Sequence, residues 1–298
     1  ADAPVVFTGT EQTPGHWGSV VIQTDSSANR ITHAVFEYAT DYGLRVGDTV
    51  AGGRERDGRA VIQNSVFRYN QDLGLRVSEN GEIPEFTGNT FKENGTPAHV
   101  DPDAVASLSG ATFENNETSA VKVSFDNNVT VSEEATWPAL SIPYRIVDRT
   151  YIEAKLTIAA GTVVEVAQEV PIRVREGGAI RTAGQAGNRV VFRGQEEVQG
   201  YWSGLQIQTK TDDNELSYTD LLHGGCCRGQ STSGKANLTV GGGAAGLVHL
   251  DHVAIRQSGN WGVWDADATV PTCTAVEFAD NKKGPFNGEG AFSKSCSP

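Results

Sequence analysis

Along this chain apolar and polar residues alternate over runs of about three to five positions, and Asn, Gly or Asp breaks each run. Ala60–Phe67 is followed by Asn70 and Gly74-Leu75. Phe86–Phe91 is followed by Asn94, and Ala111–Phe113 by Asn115-Asn116 and then Ala120–Val123. Later in the chain, Leu247–Ile255 leads to Gly262-Val263, and Ala275–Phe278 leads to Asn281. A period of two within each run predicts strands. The recurrence of the runs every ~24 residues predicts a solenoid. No amphipathic helix longer than about two turns is visible. Three short strands per repeat without a helical crossover predict an all-β, right-handed parallel β-helix of about ten to twelve coils. The recurring Asn70, Asn94, Asn115 and Asn281 are expected to bend the backbone and stack as an asparagine ladder.

A longer echo overlies this period. Residues 5–29, VVFTGTEQTPGHWGSVVIQTDSSAN, and 190–214, VVFRGQEEVQGYWSGLQIQTKTDDN, match without gaps at an offset of 185. Val5, Val6, Phe7, Gly9, Glu11, Gly15, Trp17, Ile22, Gln23, Thr24 and Asn29 all meet identical residues. We therefore read 1–298 as a single β-helix domain with an internal duplication, approximately 1–135 and 136–298. The inward residues are expected to include Val6, Phe7, Val20, Ile22, Ile62, Phe67, Phe91, Phe113, Leu156, Ile158, Val191, Phe192, Leu205, Ile207, Leu250, Ile255 and Phe278.

Residues 156–162 (LTIAAGT), 174–184 (VREGGAIRTAG), 190–192 (VVF) and 200–204 (GYWSG) together resemble the right-handed parallel β-helix repeat proteins of bacterial cell surfaces, often lipoproteins. The resemblance covers most of the chain. It implies the fold and a secreted or surface-displayed location, but no assigned chemistry. Residue 1 aligns with Ala186, so the coils of 136–185 have no counterpart before the first copy. The first coil is therefore expected to be open, and to be covered by more protein or by self-association.

Composition narrows the function. The formal charge of −13 argues against nucleic acid and anionic membrane surfaces as partners. No apolar run is long enough for a transmembrane helix. The four cysteines, Cys226, Cys227, Cys273 and Cys296, fall late in the chain. They suit two disulfides of a secreted protein better than a zinc site. A bond within the vicinal pair is disfavoured, so Cys226 and Cys227 are expected to bond separately to Cys273 and Cys296.

No motif carries catalysis. Asp101/Asp103 and Asp265/Asp267 have the spacing of paired carboxylates but read as turn-filling residues. No cofactor is expected, and Ca²⁺ is the one ion these pairs bring into question. His33 and His223 read as satisfied, partly buried imidazoles. His249 and His252 point to opposite faces of a strand. Gly241-Gly242-Gly243 has no helix after it and is no phosphate cradle. Four N-x-S/T sequons occur, at Asn94, Asn116, Asn128 and Asn237.

The aromatic residues beside turns are the functional cue, because exposed rings stack on sugars. Trp17 and Trp202 read as structural. Trp261, Trp264 and Tyr42 are the candidate ligand-binding residues. The leading expectation is a non-catalytic structural or adhesive module with carbohydrate as its candidate ligand. A polysaccharide lyase or glycoside hydrolase acting in a groove along the β-helix is the alternative.

Overall fold

The computed structural model describes residues 3–50, 54–124, 129–227 and 235–296. The chain divides into two compact units: 1–125 with 140–144, and 126–139 with 145–298. Each is a right-handed parallel β-helix, built from short strands that return to the same sheets coil after coil.

In the first unit one sheet stacks Val5–Phe7, Ala34–Glu37, Val66–Arg68, Thr90–Lys92 and Thr112–Glu114. A second stacks Val20–Ile22, Tyr42–Val46, Leu73–Val77, Thr96–Val100 and Val121–Val123. A third holds Arg30–Thr32, Val61–Gln63 and Phe86–Thr87. The pairing is parallel and in register: Phe7 meets Phe36, Phe36 meets Phe67, Phe67 meets Phe91, and Phe91 meets Phe113. Their rings form a continuous stack with centroids 4.8, 5.2, 5.0 and 5.4 Å apart. Each contact adds roughly 0.5–1.5 kcal/mol beyond the area it buries. One pairing is antiparallel, between Asp48–Val50 and Arg54–Arg56.

The asparagine ladder exists with Asn70 and Asn94 as expected, but its next rung is Asn116 and not Asn115. Asn70 Nδ2 donates to Asn94 Oδ1 (2.8 Å), and Asn94 Nδ2 donates to Asn116 Oδ1 (2.9 Å). Asn115 is not a rung. It is the left-handed residue before the rung (φ 50°), as are Tyr69 (55°) and Glu93 (53°). Asp280 (55°) stands likewise before Asn281, which accepts from Ser258 N and donates to the Ile255 carbonyl. The bend and the ladder thus use neighbouring residues: one turns the chain, and the next satisfies the carbonyls that the turn exposes. Rung amides cannot also serve as glycosylation acceptors. The sequon asparagines Asn94, Asn116 and Asn237 are buried and hydrogen-bonded. Asn128 lies outside the described residues.

The second unit stacks Val129–Val131, Thr150–Ile152, Pro171–Val174, Gly204–Ile207, Ala236–Val240, Trp261–Asp265 and Gly284–Phe286 in a seven-stranded sheet. Ala135–Trp137, Lys155–Ala159, Ala179–Ala183, Glu215–Ser217, His249–Asp251 and Cys273–Thr274 form a six-stranded one. Val163–Val166, Val190–Gly194, Thr219–Leu222, Ala254–Arg256 and Glu277–Ala279 build a third. Where the first unit stacks phenylalanines coil on coil, this third sheet carries mainly aliphatic residues. Phe192, the counterpart of Phe7, lies in register between Val164 and Leu221.

The sequence echo is an echo of hydrogen bonds. Trp17 Nε1 donates to the Glu37 carbonyl and Trp202 Nε1 to the Leu222 carbonyl, both at 2.7 Å. Asn29 Nδ2 donates to the Thr24 carbonyl and Asn214 Nδ2 to the Thr209 carbonyl. The two tryptophans therefore act as braces between coils.

Of the residues expected inward, most are buried, including Ile62, Phe67, Phe91, Leu156, Ile158, Phe192, Leu205, Ile207, Leu250 and Ile255. Val191 is a correction. Alternation places Val190 and Phe192 inward, so Val191 faces out. Val6 and Phe7 are 46% and 37% exposed, because Val5–Phe7 is the outermost strand of its sheet. The equivalent strand, Val190–Gly194, is covered by Val163–Val166.

The cysteine pairing also differs from expectation. Cys226 bonds Cys227, and Cys273 bonds Cys296. Cys226-Cys227 lies at the corner between Thr219–Leu222 and Ala236–Val240, whereas Cys273 opens the outermost strand of the six-stranded sheet. The two sites belong to different edges of the coil, which leaves each cysteine its nearer partner. The second bond ties Cys273 to the end of a short helix, Ala291–Ser295, whose Phe292 is buried.

Candidate ligand-binding face

Tyr42 opens a strand, Tyr42–Val46, whose inward residues are Leu44 and Val46 and whose outward residue is Arg45. In-register neighbours carry the same outward position through successive coils. Arg45 pairs with Arg76, Arg76 with His99, and His99 with Lys122. The outward row of the first unit's second sheet is thus Arg45, Arg76, His99, Lys122, at the strand spacing of about 4.8 Å. Val21, 39% exposed, extends it at one end.

The environment of each group fixes its state. The Arg45 guanidinium lies 5.7 Å from the centre of the Tyr42 ring, and its Nε donates to the Gly47 carbonyl (3.0 Å) and to Ser78 Oγ (3.2 Å). Close approach of the coils helps assemble the row. A Cβ on Gly74 would stand 2.6 Å from the Pro97 carbonyl oxygen, so the Gly-Leu-Arg-Val strand needs its glycine. Burial pushes the His99 imidazole down to about 4, and Lys122 and Arg76 add to the effect. Asp72, just before the next strand, is raised by desolvation, against the pull of Lys122.

His99 Nε2 lies 2.9 Å from Ser124 Oγ and 3.0 Å from the Ser124 carbonyl. A hydroxyl beside an imidazole is the raw material of a nucleophile. However, the Ser124 carbonyl can only accept, so in that contact Nε2 is the donor, carries the proton and does not activate the hydroxyl. This pair locks the row's geometry.

The carboxylate pairs are structural. Asp101 Oδ1 accepts from Asp103 N and caps the 3₁₀ turn Pro102–Leu108, and burial pushes its carboxyl up to about 7. Asp265 Oδ1 accepts from Ala268 N, and its Oδ2 caps the helix Ala291–Ser295 through Ala291 N at 2.7 Å. Among the described residues no group of three His, Cys, Asp or Glu is placed to hold a metal ion.

Trp261 and Trp264 share the strand Trp261–Asp265 and are half-buried. Trp264 continues an outward row of the second unit, Tyr151, Arg173, Gln206, Thr239, Trp264. That row is closed at its centre. Gln206 and Thr239 are 5% and 3% exposed, and Gln206 Nε2 donates to the Gly241 and Gly242 carbonyls. The Arg175 guanidinium covers Tyr151 at 3.5 Å. Trp261 stands at the start of the strand with Lys283 Nζ 5.9 Å from its ring centre. A groove of about 320 Å³ elsewhere in this unit is lined by Arg189, Asp220, His252, Arg256 and Glu277. Its charges are already paired, Arg189 with Asp220 and Arg256 with Glu277.

The other histidines carry no site. His33 is exposed on a left-handed bend rather than partly buried, because that bend turns its side chain off the strand. His223 is buried, with its pKa lowered by desolvation against a hydrogen bond to Gln257. His252 stacks on Tyr218 at 4.4 Å.

The sequence names Tyr42 as a candidate, and the row beside it goes unnoticed there. The signal was present: Tyr-Gly-Leu-Arg-Val-Gly (42–47), Leu-Gly-Leu-Arg-Val-Ser (73–78), Thr-Pro-Ala-His-Val-Asp (96–101) and Ser-Ala-Val-Lys-Val-Ser (119–124) place Arg, Arg, His and Lys at one position. The chain matches no protein-family model, no curated protein and no solved structure.

Proposed function

We propose that this chain is a secreted or surface-displayed β-helix module that adheres through carbohydrate held on the outward face beginning at Tyr42, without chemistry on it. One observation carries the reading: Arg45, Arg76 and Lys122 share one outward register position on a sheet, with the Tyr42 ring at its start and His99 locked between them by Ser124. A parallel sheet holds such a line rigid, so little conformational freedom is lost on binding. Tyr42 supplies an apolar platform and the guanidinium groups supply directional donors, the combination that suits sugar rings and their oxygens. The disulfides, and the resemblance to surface β-helix repeats, support location outside the cell. No helix among the described residues is long and apolar enough to cross a membrane.

The test is a glycan array run beside a reducing-end assay on the same polysaccharides. The expected result is a bound glycan whose retention falls roughly tenfold with Tyr42→Ala, and no release of reducing ends. Absence of any bound glycan overturns the reading. Cleavage without stable binding would favour a polysaccharide-cleaving enzyme instead.

A further inference from the structure

We infer that the first coil, residues 5–32, is a docking edge to which a partner polypeptide adds one β-helix coil in parallel, whether or not the Tyr42 face binds carbohydrate.

The internal repeat shows nearly the same segment uncovered and covered. Val5–Phe7, Val20–Ile22 and Arg30–Thr32 are each the outermost strand of their sheet. Their counterparts 185 positions later lie inside their sheets, covered by Val163–Val166, Pro171–Val174 and Ala179–Ala183. Val190, Phe192, Leu205, Ile207 and Leu216 are buried there. In the first coil Val5 is 60% exposed, and Phe7, Val20, Ile22 and Ile31 all keep surface open to water. A solenoid end of this kind gains by burying those side chains under a further coil.

The covered copy also specifies the hydrogen bonds. Val190 N donates to the Tyr218 carbonyl of the next coil, and Val191 N, facing the other way, donates to the Thr162 carbonyl at 3.0 Å. Ser203 N donates to the Val170 carbonyl (3.1 Å), and Ile180 N donates to Asn214 Oδ1 (3.0 Å). In the first coil Val5 N donates to the His33 carbonyl in the same way, which aims Val6 N outward. Among the described residues Val6 N and Gly18 N meet no acceptor, and Asn29 Oδ1 meets no donor. These groups stand in phase for one more parallel strand on each sheet, which is strand addition at an open edge.

The two copies together describe the occupant. Its inward positions are aliphatic, as at Val164, Val166, Ile172, Val174 and Ile180. Arg181 pairs with Glu215 at 3.1 Å, but the counterpart of Glu215 is Arg30, so the occupant carries an acidic residue at the position of Arg181. A second copy of this chain does not supply such a coil. Its residues 163–183 are already paired within their own unit. The last coil of that unit is closed by the buried Phe292 and the Cys273–Cys296 bond. Two first coils meeting face to face would pair antiparallel, not parallel.

The test uses the full chain. The probe is the peptide of residues 155–185, as it stands and with Arg181→Glu, titrated against the protein. Saturable binding is expected, tighter by about twofold to fivefold for the Arg181→Glu peptide, and Arg30→Glu in the protein should reverse that order. Hydrogen exchange at the Val6 and Gly18 amides should slow by roughly tenfold on binding. A free peptide loses conformational freedom when it docks. A second protein therefore carries residues 155–185 directly before Ala1, which the offset of 185 puts in phase, and the same slowing is expected there without added peptide. Exchange unchanged both in the mixture and in the fusion overturns the inference. Peptide binding whose order Arg30→Glu leaves unchanged overturns it too. So does a parent protein that self-associates with Val6 and Gly18 already protected, since a second copy then covers the edge.

Discussion

The two units use one construction and pair surface charge alike, but they fill their cores differently. In the second, outward charges alternate in sign and pair: Glu165 bridges Arg145 and Arg193, Arg189 meets Asp220, and Arg256 meets Glu277. In the first, Arg68 meets Glu37 and Arg59 meets Glu82. The cores are what differ. Stacked phenylalanines fill the first, and Val164, Phe192 and Leu221 fill an aliphatic counterpart in the second. A solenoid separates these choices because each coil contacts only its neighbours. The backbone ladder holds the fold, so the inward residues can change from one unit to the other while the coil is kept.

The largest way to break the comparison is in the cores. Phe67→Ala opens a cavity in a fully buried aromatic stack and should cost about 3–5 kcal/mol in urea unfolding. Phe192→Leu, set among aliphatic neighbours, should cost less, about 1–2 kcal/mol. Equal costs would remove the distinction between the cores. Next comes the paired surface. Glu165 is 8% exposed and holds two guanidinium groups. Glu165→Gln should destabilise by about 2–4 kcal/mol, since it strands two cations that now share one carboxylate.

A third effect depends on pH. Asp101 is raised from 3.8 to about 7 by burial, so its contribution is full below pH 4 and is lost as pH rises through 7. His99 is lowered from 6.5 to about 4, so its contribution is full above pH 6.5 and is lost as pH falls toward 4. Between these limits the two trends oppose. Asp101→Asn keeps a cap acceptor and removes the alkaline loss. It should gain on the order of 2 kcal/mol over the parent at pH 8 and little at pH 4. Unfolding curves at both pH values check this, and a gain independent of pH would contradict it.

The smallest effect tests the feature the units share. Arg59→Gln in the first unit and Arg181→Gln in the second each remove one partly exposed ion pair and should cost about 0.2–1 kcal/mol at low salt. The loss should vanish at high salt, read from unfolding midpoints in about 20 mM and 1 M NaCl.

How much of this was legible in the sequence follows from its physics. The coil period and the 185-residue echo were legible because stacking forces each coil to repeat its inward residues. The ladder was legible as a pattern but misassigned at Asn115, since choosing between Asn115 and Asn116 needs to know which residue takes the left-handed bend. Val191 was placed inward beside Phe192 against strict alternation. The cysteine pairing depends on which corner of the coil each residue reaches, and spacing does not encode that. The row itself was written in four aligned segments. Its alignment at one outward position appears only when strand register joins residues more than twenty positions apart.

The most direct measurement compares the retention of the parent and of Tyr42→Ala on the same glycan array, with unfolding curves recorded on the same samples. The parent should bind a glycan, and the variant should lose roughly tenfold in retention while unfolding at the same urea. Equal retention of the two proteins, or a loss of binding matched by a loss of stability, would contradict the account.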